Sequence, residues 1–260
     1  MTQRYPRWGF IFIAIFILAS LVAGYFALQI RRSTPPPPAG FLAAEKGYGV
    51  TIDLTLYDDP ILADTLASLR SNGLIWLRQP IAWAELEPAP GQFEWSELDR
   101  VLTAVARENE EAQRRGDEEA GSQFTELKLI AVLQTAPAWV RPADTPPATP
   151  PTEVSDFGNF ARAFAARYGD QIDTYQIWHE PNLSANWGHA FVDPNAYADL
   201  LREAAVNIRA ADPQALILTA ALAPTLENGP LNLNELAYLD QLYQAKTKRW
   251  FDIVAGQAYG

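Results

Sequence analysis

One pattern constrains the chain from Tyr48 onward: a short run rich in β-branched and aromatic residues, a loop, then an amphipathic helix, repeated along its length. The runs are GYGVTIDLTL, LIWLRQPIAW from Leu74, LKLIAVLQTAPAW from Leu127, IDTYQIWHE from Ile172, ALILTAALAP from Ala215 and WFDIVAGQAYG from Trp250. Helical faces lie between them. Asp59-Pro60 reads as an N-cap with proline in the first helical position, Leu62, Leu66 and Leu69 supply the apolar face, and Gly73 closes the helix. A second helix starts near Trp95-Ser96 and runs into the charged stretch RENEEAQRRGDEEAGSQ, a solvated extension or insertion. Phe157, Phe160, Ala161, Phe164 and Tyr168 have helical spacing, as do Tyr197, Leu200, Leu201, Ala204 and Ile208 after Asp193-Pro194. Residues 232–246 read as a further helix. Strands alternating with crossover helices imply a parallel α/β sheet. An open doubly wound sheet and a (β/α) barrel both satisfy the pattern, and periodicity does not choose between them. No glycine-rich phosphate loop follows the first strand, which counts against the nucleotide-binding versions.

Residues 9–30, GFIFIAIFILASLVAGYFALQI, carry no charge. At about 1.5 Å per residue a helix of this length crosses a bilayer core of about 30 Å. No small-residue cleavage site follows it, so residues 1–32 read as an uncleaved transmembrane signal anchor. Residues 33–46, which include STPPPPAG, form a Pro-rich linker, and residues 47–260 form the folded domain. The expected location is membrane-anchored with the domain outside the cytoplasm. The balance of 20 Lys+Arg against 31 Asp+Glu, net charge −11, argues against a nucleic-acid partner. The absence of cysteine removes thiolate chemistry and disulfides, and two histidines make a multi-His metal site a poor expectation.

In either parallel architecture a ligand sits at the C-terminal ends of the strands. Those ends are residues 78–83, 135–139, 178–182 and 257–260. Alternation along YQIWHE places Gln176, Trp178 and Glu180 on the inward face, so a carboxylate is expected at the mouth with an indole beneath it, and Pro181 stops the strand. Trp139 and Trp187 are candidate flat faces for a sugar, although Trp83, Trp95 and Trp139 are each of a kind that more often packs than binds sugar. Glu85 and Glu87 read as loop or capping residues.

These segments also carry a resemblance. YQIWHEPNL resembles the Trp-Asn-Glu-Pro-Asn signature at the end of strand four in the glycoside hydrolase superfamily of (β/α)8 barrels, whose acid/base lies on strand four and nucleophile on strand seven. LIWLRQPIAWAELEPAPGQFEWSELDRVL is similar to its strand-two region, TAPAW to its strand-three end, and FDIVAGQAYG to its strand-six region. The β-xylosidase and α-iduronidase-like families are the nearest in pattern. The resemblance implies a TIM barrel and a carbohydrate substrate, with no cofactor or metal. By position it makes Glu180 the acid/base and Arg78 the strand-two arginine that bonds the nucleophile. His179 stands where the family has an Asn that binds substrate, and Tyr259 matches the strand-six Tyr. Gln257 replaces a usual His and Gln176 a frequent Glu.

Retaining hydrolysis needs a second carboxylate about 5–5.5 Å from the acid/base. In the resembled fold it lies on strand seven, and the runs above supply about six of the eight βα units that a complete barrel has. The sequence-based expectation is therefore a barrel incomplete at its C-terminal side, a retaining hydrolase by descent and inactive as written. The alternative is a non-catalytic, membrane-tethered carbohydrate-binding barrel.

Overall fold

The computed structural model describes residues 47–118 and 126–257. Residues 1–32, read as an anchor, residues 33–46, read as a linker, and Tyr259 lie outside them. Among the described residues no helix is long and apolar enough to cross a membrane.

Five strands form one parallel sheet: β1 (Tyr48–Thr51), β2 (Leu74–Ala82), β3 (Lys128–Gln134), β4 (Thr174–Ile177) and β5 (Leu216–Leu218). Their spatial order is their chain order. A doubly wound sheet reverses direction at a switch point, and no reversal occurs among these strands, so the barrel reading holds. A sixth segment continues the series without becoming a regular strand. Ile253 and Gly256 make single parallel bridges to Leu218 and Leu222, and the Thr219 amide donates to the Ile253 carbonyl at 3.0 Å.

The crossovers are α1 (Asp59–Ser71), a short α2 (Trp83–Leu86), α3 (Ser96–Glu118), α4 (Val154–Tyr168), α5 (Pro194–Ala211) and α6 (Glu235–Gln244). The N-cap of α1 is Asp58, whose carboxylate accepts from the Ile61 amide at 3.1 Å, while the expected cap Asp59 is the first helical residue. Two aspartates precede Pro60, and a proline is tolerated at either of the positions this leaves it in the first turn. Gly73 follows α1 at φ +77, the left-handed conformation that lets the chain turn into β2. The charged stretch after the second strand, as far as Glu118, is part of α3, which runs 23 residues. The last helix begins at Glu235 rather than near residue 232. Asn232 and Leu233 are held by the loop after β4, through a bridge to Leu183 and a 2.9 Å bond from the Leu233 amide to the Asn182 carbonyl.

Registered neighbours in a parallel sheet share a face. Arg78, Ile130 and Thr174 are in register on one face, and Gln79, Ala131 and Tyr175 on the other. The second face carries the core. Leu77, Ile81, Leu129, Leu133, Tyr175, Ile177 and Ile217 are buried there with helix residues such as Leu62, Leu66, Val101, Phe157 and Phe160. Aromatic rings knit this layer. Trp83 stacks on Phe160 at 5.2 Å and meets Phe157 edge-on at 5.6 Å, and Phe164 meets Tyr175 at 6.3 Å. Full burial of each such side chain contributes roughly 1.5–3 kcal/mol. The first face, the concave one, carries the polar groups Arg78 and Gln176.

Candidate active site

The site grows out of the end of β4. The strand stops at Ile177, and Trp178 and Glu180 both take left-handed backbone, with φ of 67 and 44. Residues other than glycine rarely adopt such angles, and strain of this kind gathers at functional sites. The turn is fastened at several points. The Trp178 amide donates to the Leu133 carbonyl at 2.8 Å, Gln176 Nε2 donates to the Trp178 carbonyl at 2.8 Å, and the Glu180 amide donates to the Ala221 carbonyl at 3.2 Å.

The left-handed turn also overturns one expectation. Alternation placed Trp178 beneath Glu180 on the inward face, but its ring packs edge-on against Phe157 of α4 at 5.8 Å and against Trp187 at 6.0 Å. Period-two alternation ends with the strand, so the indole turns into the helix-facing layer. Gln176, still on the strand, does face inward.

Arg78, His179 and Glu180 come together, from β2 and from the turn after β4. Arg78 reaches from β2 over the intervening β3. Its Nε donates to Gln176 Oε1 at 2.9 Å, its Nη1 to Thr51 Oγ1 at 3.4 Å, and its Nη2 lies 3.2 Å from His179 Nδ1. The Glu180 side chain is 12% exposed, and its Oε2 accepts from Asn186 Nδ2 at 2.8 Å, with His179 Nε2 at 3.8 Å. Asn186 is itself pinned, because its carbonyl accepts the Trp178 indole N–H at 3.0 Å. Burial holds the His179 pKa below the usual histidine value, and Arg78 adds to that effect while Glu180 opposes it.

The tryptophans divide. Trp139 is 37% exposed, with its indole N–H tied to the Glu87 carbonyl at 3.0 Å and its ring nearly perpendicular to that of Trp83 at 6.0 Å. Trp187 is a correction. It is 4% exposed and packed between Trp178 and Tyr197, and it has no open face to offer a sugar.

Two other carboxylates at strand ends are already engaged. Asp53 Oδ1 accepts from the Thr55 amide, the Thr55 hydroxyl and Gln79 Nε2. Glu87 is buried, taking the Trp83 indole N–H at 2.7 Å and the Gly91 amide at 2.8 Å, which bears out a loop-bracing role. Among the described residues no group of three or more His, Cys, Asp or Glu side chains could hold a metal ion.

Sequence reasoning missed three residues. Asn186 holds Glu180, yet nothing in its local sequence marks it. Gln176 was visible as a departure from the resembled pattern, but its double contact was not. Asn182, quoted within the signature and given no role, is fully buried and ties the loops after β4 and β5. Its Nδ2 donates to the Ala223 and Leu233 carbonyls at 2.8 and 3.0 Å, and its Oδ1 accepts from the Ala223 amide at 3.0 Å.

Solved structures share this fold. A family 39 glycoside hydrolase from Bacteroides cellulosilyticus WH2 superposes with a TM-score of 0.58 at 19% identity, over 80% of this chain and 37% of that one. A monomeric β-xylosidase from Caulobacter crescentus CB15 superposes at 0.57 and 18% identity, over 82% and 41%. An exo-β-1,4-mannosidase from Opitutaceae bacterium strain TAV5 superposes at 0.55 and 15% identity, over 87% and 40%. The chain thus spans well under half the length of these three proteins. No protein-family model matches it, and no curated protein matches it by sequence. The likeness is one of fold: part of a (β/α)8 barrel of the kind on which these glycoside hydrolases are built.

Proposed function

We propose that this chain carries the acid/base side of a retaining glycoside hydrolase that cleaves O-glycosidic bonds of an oligo- or polysaccharide by double displacement. The supporting observation is Glu180. It sits at the C-terminal end of β4, on a strained turn, largely shielded and oriented by Asn186, with Arg78 and His179 beside it. In the first step Glu180 would protonate the departing glycosidic oxygen while a second carboxylate attacks the anomeric carbon. In the second step the Glu180 carboxylate would take a proton from water as water displaces the enzyme carboxylate. Trp139 offers an apolar face to the sugar.

Asp53 and Glu87 are already engaged in hydrogen bonds, and the resembled fold carries its nucleophile on strand seven, to which we assign it. We therefore expect the 260-residue chain alone to hydrolyse no glycoside, and a polypeptide that also supplies the nucleophile strand to do so. Assays of both on glycosides with an alkyl leaving group, which needs a proton to depart, check this. Hydrolysis by the latter, lowered about 10²–10⁴-fold in Glu180→Gln, supports the reading. Hydrolysis by the 260-residue chain overturns the expected inactivity, and hydrolysis that survives Glu180→Gln overturns the role of Glu180 as well.

The engaged state of Asp53 and Glu87, with Trp139 still partly open, also suits a second reading: a carbohydrate-binding barrel without catalysis. Saturable binding of an oligosaccharide by a gene product that hydrolyses nothing would favour it.

We further propose that residues 9–30 anchor the protein in a membrane with the barrel outside the cytoplasm. Protease accessibility of the barrel in intact cells, and its retention in the membrane fraction, test that placement.

A further inference from the structure

His179 carries an inference that deepens the glycosidase reading and rests on it only for the identity of the ligand. Its Nδ1 lies 3.2 Å from Nη2 of Arg78. A guanidinium donates hydrogen bonds and accepts none, so this contact requires a lone pair on Nδ1. The one proton of the neutral ring is then on Nε2. That nitrogen is 3.8 Å from Glu180 Oε2, beyond hydrogen-bonding range, and Oε2 already accepts from Asn186.

We infer that Arg78 is a positioning residue, holding His179 in the neutral tautomer whose single Nε2–H donor lies beside Glu180, so that the ligand group met there is a hydrogen-bond acceptor. The guanidinium is itself fixed, since Gln176 Oε1 and Thr51 Oγ1 receive its Nε and Nη1. Nδ1 is occupied by Arg78 and cannot also accept from a ligand hydroxyl. An asparagine at this place would offer a donor and an acceptor together, whereas His179 offers a donor alone. Burial that holds the imidazole pKa below its usual value keeps the ring neutral near pH 7.

The chain has two histidines, so selective 15N-histidine labelling gives two ring systems, and His189→Gln assigns them. Nitrogen NMR of the full 260-residue chain near pH 7.5 then reads the tautomer directly. The expected result for His179 is an unprotonated Nδ1 and a protonated Nε2, with a population ratio of at least about ten to one, as a charge-assisted hydrogen bond sustains. Arg78→Lys keeps a cationic donor and retains the preference. Arg78→Ala loses it, and if that variant does not fold, the wild-type and lysine spectra decide. A protonated Nδ1 in the wild type, or an Arg78→Ala spectrum with an unchanged ratio, overturns the inference. The expected spectrum in a gene product that hydrolyses no glycoside supports the inference and removes the glycosidase reading instead.

Discussion

Arg78 on β2 and Gln176 on β4 are joined by a 2.9 Å hydrogen bond that passes over β3, the strand between them. The same amide donates its Nε2 to the carbonyl of Trp178, where the backbone turns left-handed. Gln176 thus accepts from the cation and donates to the turn at once. An ionised glutamate, frequent at this place in the resembled superfamily, could do only the first. The departure from the family pattern has a local reason: the amide ties the arginine to the turn that presents His179 and Glu180.

Replacement of Gln176 by methionine keeps the length and removes both contacts. It leaves the Trp178 carbonyl and the Arg78 Nε to find new partners in a largely buried place. We expect a loss of about 2 kcal/mol or more in unfolding free energy by urea titration, since a buried polar group left unpaired costs about 1–3 kcal/mol. An unchanged midpoint and slope would show that water replaces the amide without penalty.

Asn182 makes a sharper case because it is fully buried. Its side chain serves three backbone groups, two on Ala223 and one on Leu233. Asn182→Leu should destabilise the fold by about 2–4 kcal/mol, several unsatisfied backbone groups being exchanged for one apolar side chain. Thermal unfolding followed by circular dichroism measures it, and a stability within error of the wild type would contradict the assignment.

Gly188 follows Trp187 at φ +72, and a Cβ there would lie 2.9 Å from the Thr149 Cα. Both the left-handed backbone and the backbone contact penalise a side chain. Gly188→Ala should cost about 1–2 kcal/mol for the conformation alone, with more added by the clash. Equal thermal stability of the two proteins would mean that the loop after β4 moves freely away from the Thr149 segment.

His179 links stability to pH. Its folded pKa lies below the usual value, chiefly through burial. Between that folded value and the unfolded value of about 6.5, the unfolded chain binds more protons than the native one. Stability therefore rises with pH through this window and falls as the solution is acidified below about 6.5. The wild type should lose more melting temperature between pH 7.5 and 5.5 than His179→Gln does. Identical losses in the two proteins would remove the linkage.

Much of the fold was legible because parallel strands and crossover helices leave regular marks. The helix faces of Phe157, Phe160 and Phe164, and of Tyr197, Leu200 and Leu201, are buried as spacing implied. The start of β2 at Leu74 and of α3 at Ser96 also fell where the sequence placed them. What alternation could not see was the end of β4. Once Trp178 leaves β geometry, parity no longer tells which side a residue faces, and an indole read as part of the mouth is packed under α4. Trp187 failed for a related reason: residue type marks a ring as able to stack on sugar, while exposure depends on neighbours such as Tyr197 contributed by α5. Asn186 was illegible because its importance lies in two contacts, to Glu180 and Trp178, that the loop alone creates.

The central claim is that Glu180 supplies the proton to the leaving oxygen. The most direct test compares the natural gene product with its Glu180→Ala variant on two glycosides of one sugar, one with an activated aryl leaving group and one with an alkyl alcohol. General acid catalysis contributes about 10²–10⁴-fold, and a leaving group that needs no proton forgoes that contribution. The account predicts a fall in kcat/KM of that size for the alkyl glycoside and a much smaller fall in the glycosylation of the activated one. Equal losses on both substrates, or none on the alkyl glycoside, would contradict it.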